Sequence, residues 1–181
     1  PTDETFDPGE QERVAAYLKA GGKLFVSGSE IAWDLDTAAR GSPGDEAFFN
    51  NYLKANYVND DANNATVTGE IGGIFAGMSF TYGSLPYIED FPDVIDSLGG
   101  SGICLRYGNG GSAGLQFEGL FLNGIKPGKL VYLGFPFETI SAATVRAEMI
   151  RRTLEFFFPA ANAVAEQAQD ANAGIPGEFV L

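Results

Sequence analysis

Two hydrophobic periods alternate along this chain. Val14, Ala15 and Leu18, with the neighbouring Tyr17, share one face at helical spacing, and Asp7-Pro8-Gly9-Glu10 supplies a polar lead with a proline for the first turn. Gly21-Gly22 ends that helix, and the apolar run Lys23 to Val26 reads as a strand. The strand stops at Ser27-Gly28-Ser29 and passes into a segment that can turn helical through Trp33. The chain therefore opens as helix, tight turn, strand and elbow. After the loop Asp36 to Asp45, Glu46 to Tyr57 reads as a second amphipathic helix with Phe49, Tyr52 and Leu53 inward.

Asn59-Asp60-Asp61-Ala62-Asn63-Asn64 is a turn ahead of a strand at Thr66 to Thr68, and Gly69 to Gly100 mixes glycine, proline and aromatics without helical period, predicting short strands and long loops. Ser101 to Tyr107 and Ala113 to Glu118 form a hairpin around Gly108-Asn109-Gly110-Gly111. Lys129 to Phe135 is the most strand-like run and is expected at the centre of the sheet. Ser141 to Phe158 is the longest helix, with Val145, Met149, Ile150 and Leu154 expected on its buried side, and Pro159 stops it. Ala160 to Gly174 has no apolar stripe, so the division is a domain over 1–159 and a linker or tail over 160–181.

Composition narrows the functions available. The 181 residues are 45% hydrophobic, enough for one domain with a core, and the net charge of −13 repels nucleic acid and anionic membrane surfaces. No apolar run reaches the ~18 residues of a membrane span, so no membrane insertion is expected. The single Cys104 excludes an internal disulfide and, between Ile103 and Leu105, belongs to a buried strand. The absence of histidine removes the usual general base and the commonest zinc ligand, which excludes Ser-His and Cys-His mechanisms within this chain.

The chemistry that remains sits at the elbow. Ligands and nucleophiles collect where a strand ends and a helix begins, so Ser29 and Glu30 are the candidate catalytic residues, completed by Glu138 and Asp34. Facing carboxylates there could do acid and base work on a glycan or peptide. The competing role is local: Ser29 and Glu30 cap the helix that follows. Asn59, Asp61, Asn63 and Glu70 match positions one, three, five and twelve of a calcium loop, although Asn59 stands where Asp is usual and Asn64 where Gly is; an Asx turn is the competing role. Trp33, Tyr82, Tyr87 and Tyr107 could offer stacking faces to a sugar or simply pack. No cofactor is expected.

Three stretches carry a resemblance. YLKAGGKLFVSGSEIAWDL, FFNNYLKANYVNDDA and VYLGFPFETI, in this order, resemble the class I glutamine amidotransferase-like superfamily, in the version found as a module of large secreted bacterial proteins. The resemblance implies an α/β fold, flavodoxin-like, with a mostly parallel sheet flanked by helices, a β-rich insert, and its first strands lacking from this chain. It also implies that the cysteine of the elbow is replaced at Ser29 and the histidine of the late strand by Pro136 or Phe137, while Glu138 survives. Amidotransferase chemistry is thereby excluded, since no thiolate or proton shuttle stands in place. The partner implied is the remaining N-terminal part of the same polypeptide or another copy, with a surface glycan as a further candidate. Ile175 to Leu181 resembles the lead-in to the sorting domain of type IX secretion cargo, implying a location outside the cell or on its outer surface. The expected function is a non-catalytic structural or interaction module; the alternative is an extracellular hydrolase using Ser29, Glu30 and Glu138.

Overall fold

The structure, a computed structural model, describes residues 5–159. The linker and lead-in expected over 160–181 lie outside the described residues. Helix α1 (Pro8–Lys19) starts with a reciprocal cap in which Asp7 accepts from the Glu10 backbone and Glu10 accepts from the Asp7 backbone. That arrangement satisfies two otherwise free N–H groups and fixes where the helix begins. Strand β1 (Lys23–Ser27) leads into the short helix α2 (Ile31–Asp36). Helix α3 (Pro43–Phe48) is capped by Ser42 and Asp45 and widens into a π-helical turn over Phe49–Leu53. The second helix therefore starts earlier and stops earlier than its apolar pattern suggests. Lys54, in the left-handed region at φ 57°, ends it and launches β2 (Ala55–Asn59).

The remaining strands are β3 (Thr66–Gly69), β4 (Ser79–Thr81), β5 (Val94–Ser97), β6 (Gly102–Tyr107), β7 (Ser112–Gly119) and β8 (Gly128–Leu133), followed by α4 (Ala143–Phe157). Among the described residues, six of the eight strands form one sheet in the order β1-β8-β7-β6-β3-β4, and β2 pairs antiparallel with β5 in a separate two-stranded ribbon. Among them only β1 and β8 run parallel; β8-β7, β7-β6, β6-β3 and β3-β4 are all antiparallel. The expectation of a mostly parallel sheet is corrected. Its physical reason lies in the connections: β6 to β7 is a tight turn and β7 to β8 a loop of eight residues, too short for a parallel crossover. Strand β8 lies one place in from the edge rather than at the centre, yet every one of its residues is buried.

Both faces of the sheet are covered, which is why β8 reads as a continuous apolar run. On one face Leu130 and Tyr132 pack with Leu18, Ile31, Leu35, Phe49 and Leu53 from the first three helices. On the other, Val131 and Leu133 pack with Phe75, Phe135, Met149 and Phe157. Each large side chain removed from water here contributes roughly 1.5–3 kcal/mol. Helix α4 turns Met149, Thr153 and Phe157 to the core, while Leu154 is 50% exposed. Of the four positions expected inward, Met149 is buried and Val145 packs at the margin of the core, while the stripe is rotated away from Ile150 and Leu154.

Candidate functional site

The elbow lies at the finishing end of β1 and β8. Gly28 donates its N–H to the Leu133 carbonyl and Phe137 donates to Ser27 Oγ, so the turn after β1 and the segment after β8 are tied together. Between them Glu30 adopts φ 63° and ψ −2°, left-handed geometry that a non-glycine residue takes at an energetic cost. Such a turn between a strand and a helix holds its side chain out at the strand end.

The capping role expected of Ser29 and Glu30 is corrected. Glu30 makes no side-chain cap; the first turn of α2 is capped instead by Asp93, whose Oδ2 accepts from Ala32 N at 2.7 Å. Asp93 is fully buried, its Oδ1 has no hydrogen-bond partner among the described residues, and burial pushes its pKa up to about 8, with Glu30 and Asp60 adding to the rise. At neutral pH its carboxyl therefore carries the proton. Gly134 allows this approach, since a Cβ there would meet the Asp93 carbonyl oxygen at 2.4 Å. The same carbonyl accepts from Tyr107 Oη at 2.9 Å.

Glu30 titrates above the ordinary range because it is partly desolvated and because Asp60, Asp34 and Glu89 repel its charge, with Arg40 opposing. The carboxylates that bear on Glu30 are thus these three rather than Glu138. Glu138 stands on the short 3-10 turn Phe137–Thr139, where its Oε1 accepts from Tyr87 Oη at 2.7 Å. The loop carrying Tyr87 is pinned to the same end by Gly83 N–H donating to Thr139 O. Asp34 is committed elsewhere: Thr5 Oγ1 donates to it at 2.8 Å and Arg40 pairs with it at 2.8 Å, Arg40 also lying over the Trp33 ring. Ser29 sits at the turn, with no histidine in the chain to take its proton.

The calcium-loop spacing does not assemble. Asn59 Nδ2 donates to Asp61 O and Asp61 Oδ1 accepts from Asn63 N, forming an Asx turn, while Glu70 lies beyond the far end of β3 and is paired with Arg106. Among the described residues, no group of three or more His, Cys, Asp or Glu side chains is placed to hold a metal ion. Of the four aromatics, Tyr82 and Tyr107 are buried against Phe135, leaving Tyr87 exposed and Trp33 half-buried under Arg40. Beside the elbow, Asp61, Asn63, Asn64, Tyr82, Glu89 and Asp90 line a polar cavity of about 390 Å³. Sequence reasoning missed Asp93, Asp60 and Glu89, and offered Tyr87 only as a stacking face, not as the donor to Glu138. Only Asp93 left a signal, a lone acid between Pro92 and the apolar pair Val94-Ile95.

No family model matches the sequence, and no curated protein matches it. Among solved structures the chain is similar to an exo-beta-1,4-mannosidase from Opitutaceae bacterium strain TAV5, at 13% identity over 82% of this chain and 21% of that one, TM-score 0.46. It is also similar to a beta-galactosidase from Bacillus circulans sp. alkalophilus, at 17% identity over 82% of this chain and 20% of that one, TM-score 0.52. The chain spans about a fifth of the length of each. The galactosidase likeness is one of fold; the mannosidase TM-score is too low to carry an argument. The likeness of fold to the galactosidase, with the mainly antiparallel sheet, overturns the expected kinship to flavodoxin-like glutamine amidotransferases. Nothing in either neighbour bears on the type IX lead-in.

Proposed function

We propose that this chain is a domain of an extracellular glycan-acting hydrolase and that Glu30 is the acid of its site. The observation that carries the reading is the left-handed Glu30 at the turn after β1, partly desolvated and facing other carboxylates. A carboxyl whose surroundings favour the neutral form can hand a proton to a glycosidic oxygen, while an ionised neighbour stabilises the positive charge that develops on the sugar ring. Glu138, held by Tyr87 on the other side of the elbow, is the second carboxyl of the site, and Ser29 lies at the turn between them. The fold shared with the galactosidase supports a glycan as substrate. So does the polar cavity alongside, lined by Asp and Asn side chains that can bind hydroxyl groups. Among the described residues no helix is long and apolar enough to cross a membrane.

The chain matches only a fifth of the galactosidase, which favours a second reading in which the domain positions or binds glycan for catalytic residues on other parts of a longer protein. A panel of aryl β-glycosides, β-galactosides first, separates the two. Turnover that falls at least about 100-fold in Glu30→Gln, the usual scale for losing a general acid, establishes the first reading. Saturable oligosaccharide binding without turnover, weakened by Glu30→Gln, establishes the second. Neither turnover nor binding overturns both.

A further inference from the structure

The molecule has two chemically opposite ends. Because β1 and β8 run parallel, both begin at one end and finish at the other, about 17 Å away for five residues at 3.3 Å each. At the starting end Ile125 N–H donates to Lys19 O, a Cβ at Gly21 would touch Lys126, and Lys23 Nζ lies 5.0 Å from the Phe158 ring. This end presents Lys19, Lys23 and Lys126 among exposed Leu122, Ile125 and Phe158. It is a lysine-bearing, apolar patch on a chain whose net charge is −13, and Glu118 at its border is paired with Lys129 at 3.0 Å. At the finishing end the loop over residues 84–92 presents Leu85, Ile88 and Phe91 to solvent with Glu89 and Asp90 between them. Ile125 is 82% exposed and Ile88 75% exposed, each beside further exposed apolar side chains.

We infer that these ends bind each other between copies: the acidic apolar loop 84–92 of one molecule docks on the lysine-rich apolar end of the next. The two surfaces match in both respects that matter, apolar anchors against apolar anchors and Glu89-Asp90 against the lysines. A loop pinned by Gly83 to Thr139 cannot reach the opposite end of its own sheet, so the contact is between molecules. It joins unlike surfaces, so it propagates head to tail until a ring closes or the chain of copies stops. The loop shares Tyr87 and Glu89 with the proposed glycan site, but the inference does not require hydrolase chemistry, and the test below reads association rather than turnover.

Sedimentation velocity on the full 181-residue chain tests it, with Ile125→Asp and Ile88→Asp as single variants and as an equimolar mixture. Both positions are exposed, so neither change disturbs the core, and near-ultraviolet circular dichroism checks this. The wild type is expected to grow beyond a dimer as concentration rises toward about 1 mM, the weak end of specific association. Each variant alone is expected to remain monomeric. The mixture is expected to form a one-to-one dimer and stop, since each variant keeps the surface the other has lost. A wild type that stays monomeric leaves the lysine-rich end to a different partner and overturns the inference. So does a folded variant that still associates alone, or a mixture of folded variants that stays monomeric.

Discussion

At the scale of single residues the fold places its costs around the elbow. Asp93 has a pKa of about 8 in the folded chain against an ordinary value of 3.8. Between those values the folded chain holds a proton that the unfolded chain has released, so stability falls as pH rises through that window and levels off above about 8. Asp93→Asn stays neutral and can still accept from Ala32 N–H. Its thermal midpoint is therefore expected to depend less on pH than the wild type's when unfolding is followed from about pH 4 to about pH 8. Asp93→Ala leaves that N–H without its acceptor and is expected to cost at least about 1 kcal/mol at low pH, measured by urea unfolding. Glu30 shows the opposite balance. Replacing it by glycine relieves a left-handed backbone at φ 63°, so Glu30→Gly is expected to unfold at higher denaturant by about 1 kcal/mol while losing glycan turnover or binding. An unchanged or lowered midpoint would show that the turn is unstrained.

At the scale of elements, α4 separates pattern from packing. Met149→Ala removes a fully buried side chain and is expected to cost about 2–5 kcal/mol in chemical denaturation, whereas Leu154→Ala, at a half-exposed position, is expected to change stability by less than about 0.5 kcal/mol. Equal costs would restore the buried face expected from sequence. That face was misjudged because Ile150 and Leu154 are more apolar than Thr153, although Thr153 is the one turned inward. Elements with local signals were legible: α1 through Asp7-Pro8 and Gly21-Gly22, the hairpin β6-β7 through its glycine turn, and β8 through its unbroken apolar run. Strand direction was obscured by a resemblance centred on β1 and β8, the one parallel pair, although the short connections elsewhere already required antiparallel neighbours. The site was half legible. Glu30 and Glu138 follow the ends of β1 and β8, while Asp93, Asp60 and Glu89 reach Glu30 only through tertiary folding from stretches without period.

At the scale of the whole molecule, the consequence of charge lies at the finishing end of the sheet. The finishing end of the sheet carries Glu30, Asp60, Glu89 and Glu138, so anionic sugars should be disfavoured there by repulsion that salt weakens. Neutral oligosaccharides are expected to bind more tightly than their uronic acid counterparts at low ionic strength, with the gap narrowing as salt is added. Calorimetric titration of the two sugar types reads this directly, and equal affinities at low salt would argue that glycan binds away from the carboxylates.

The central claim, that Glu30 is a carboxyl held above its ordinary range which meets a sugar, is tested most directly by carbon-13 NMR titration of the side-chain carboxyls with and without lactose. The account predicts that the Glu30 signal titrates above 4.5 and shifts on adding the sugar, while Asp93 titrates near 8. A Glu30 carboxyl that titrates at or below 4.5 and ignores saturating sugar would contradict it.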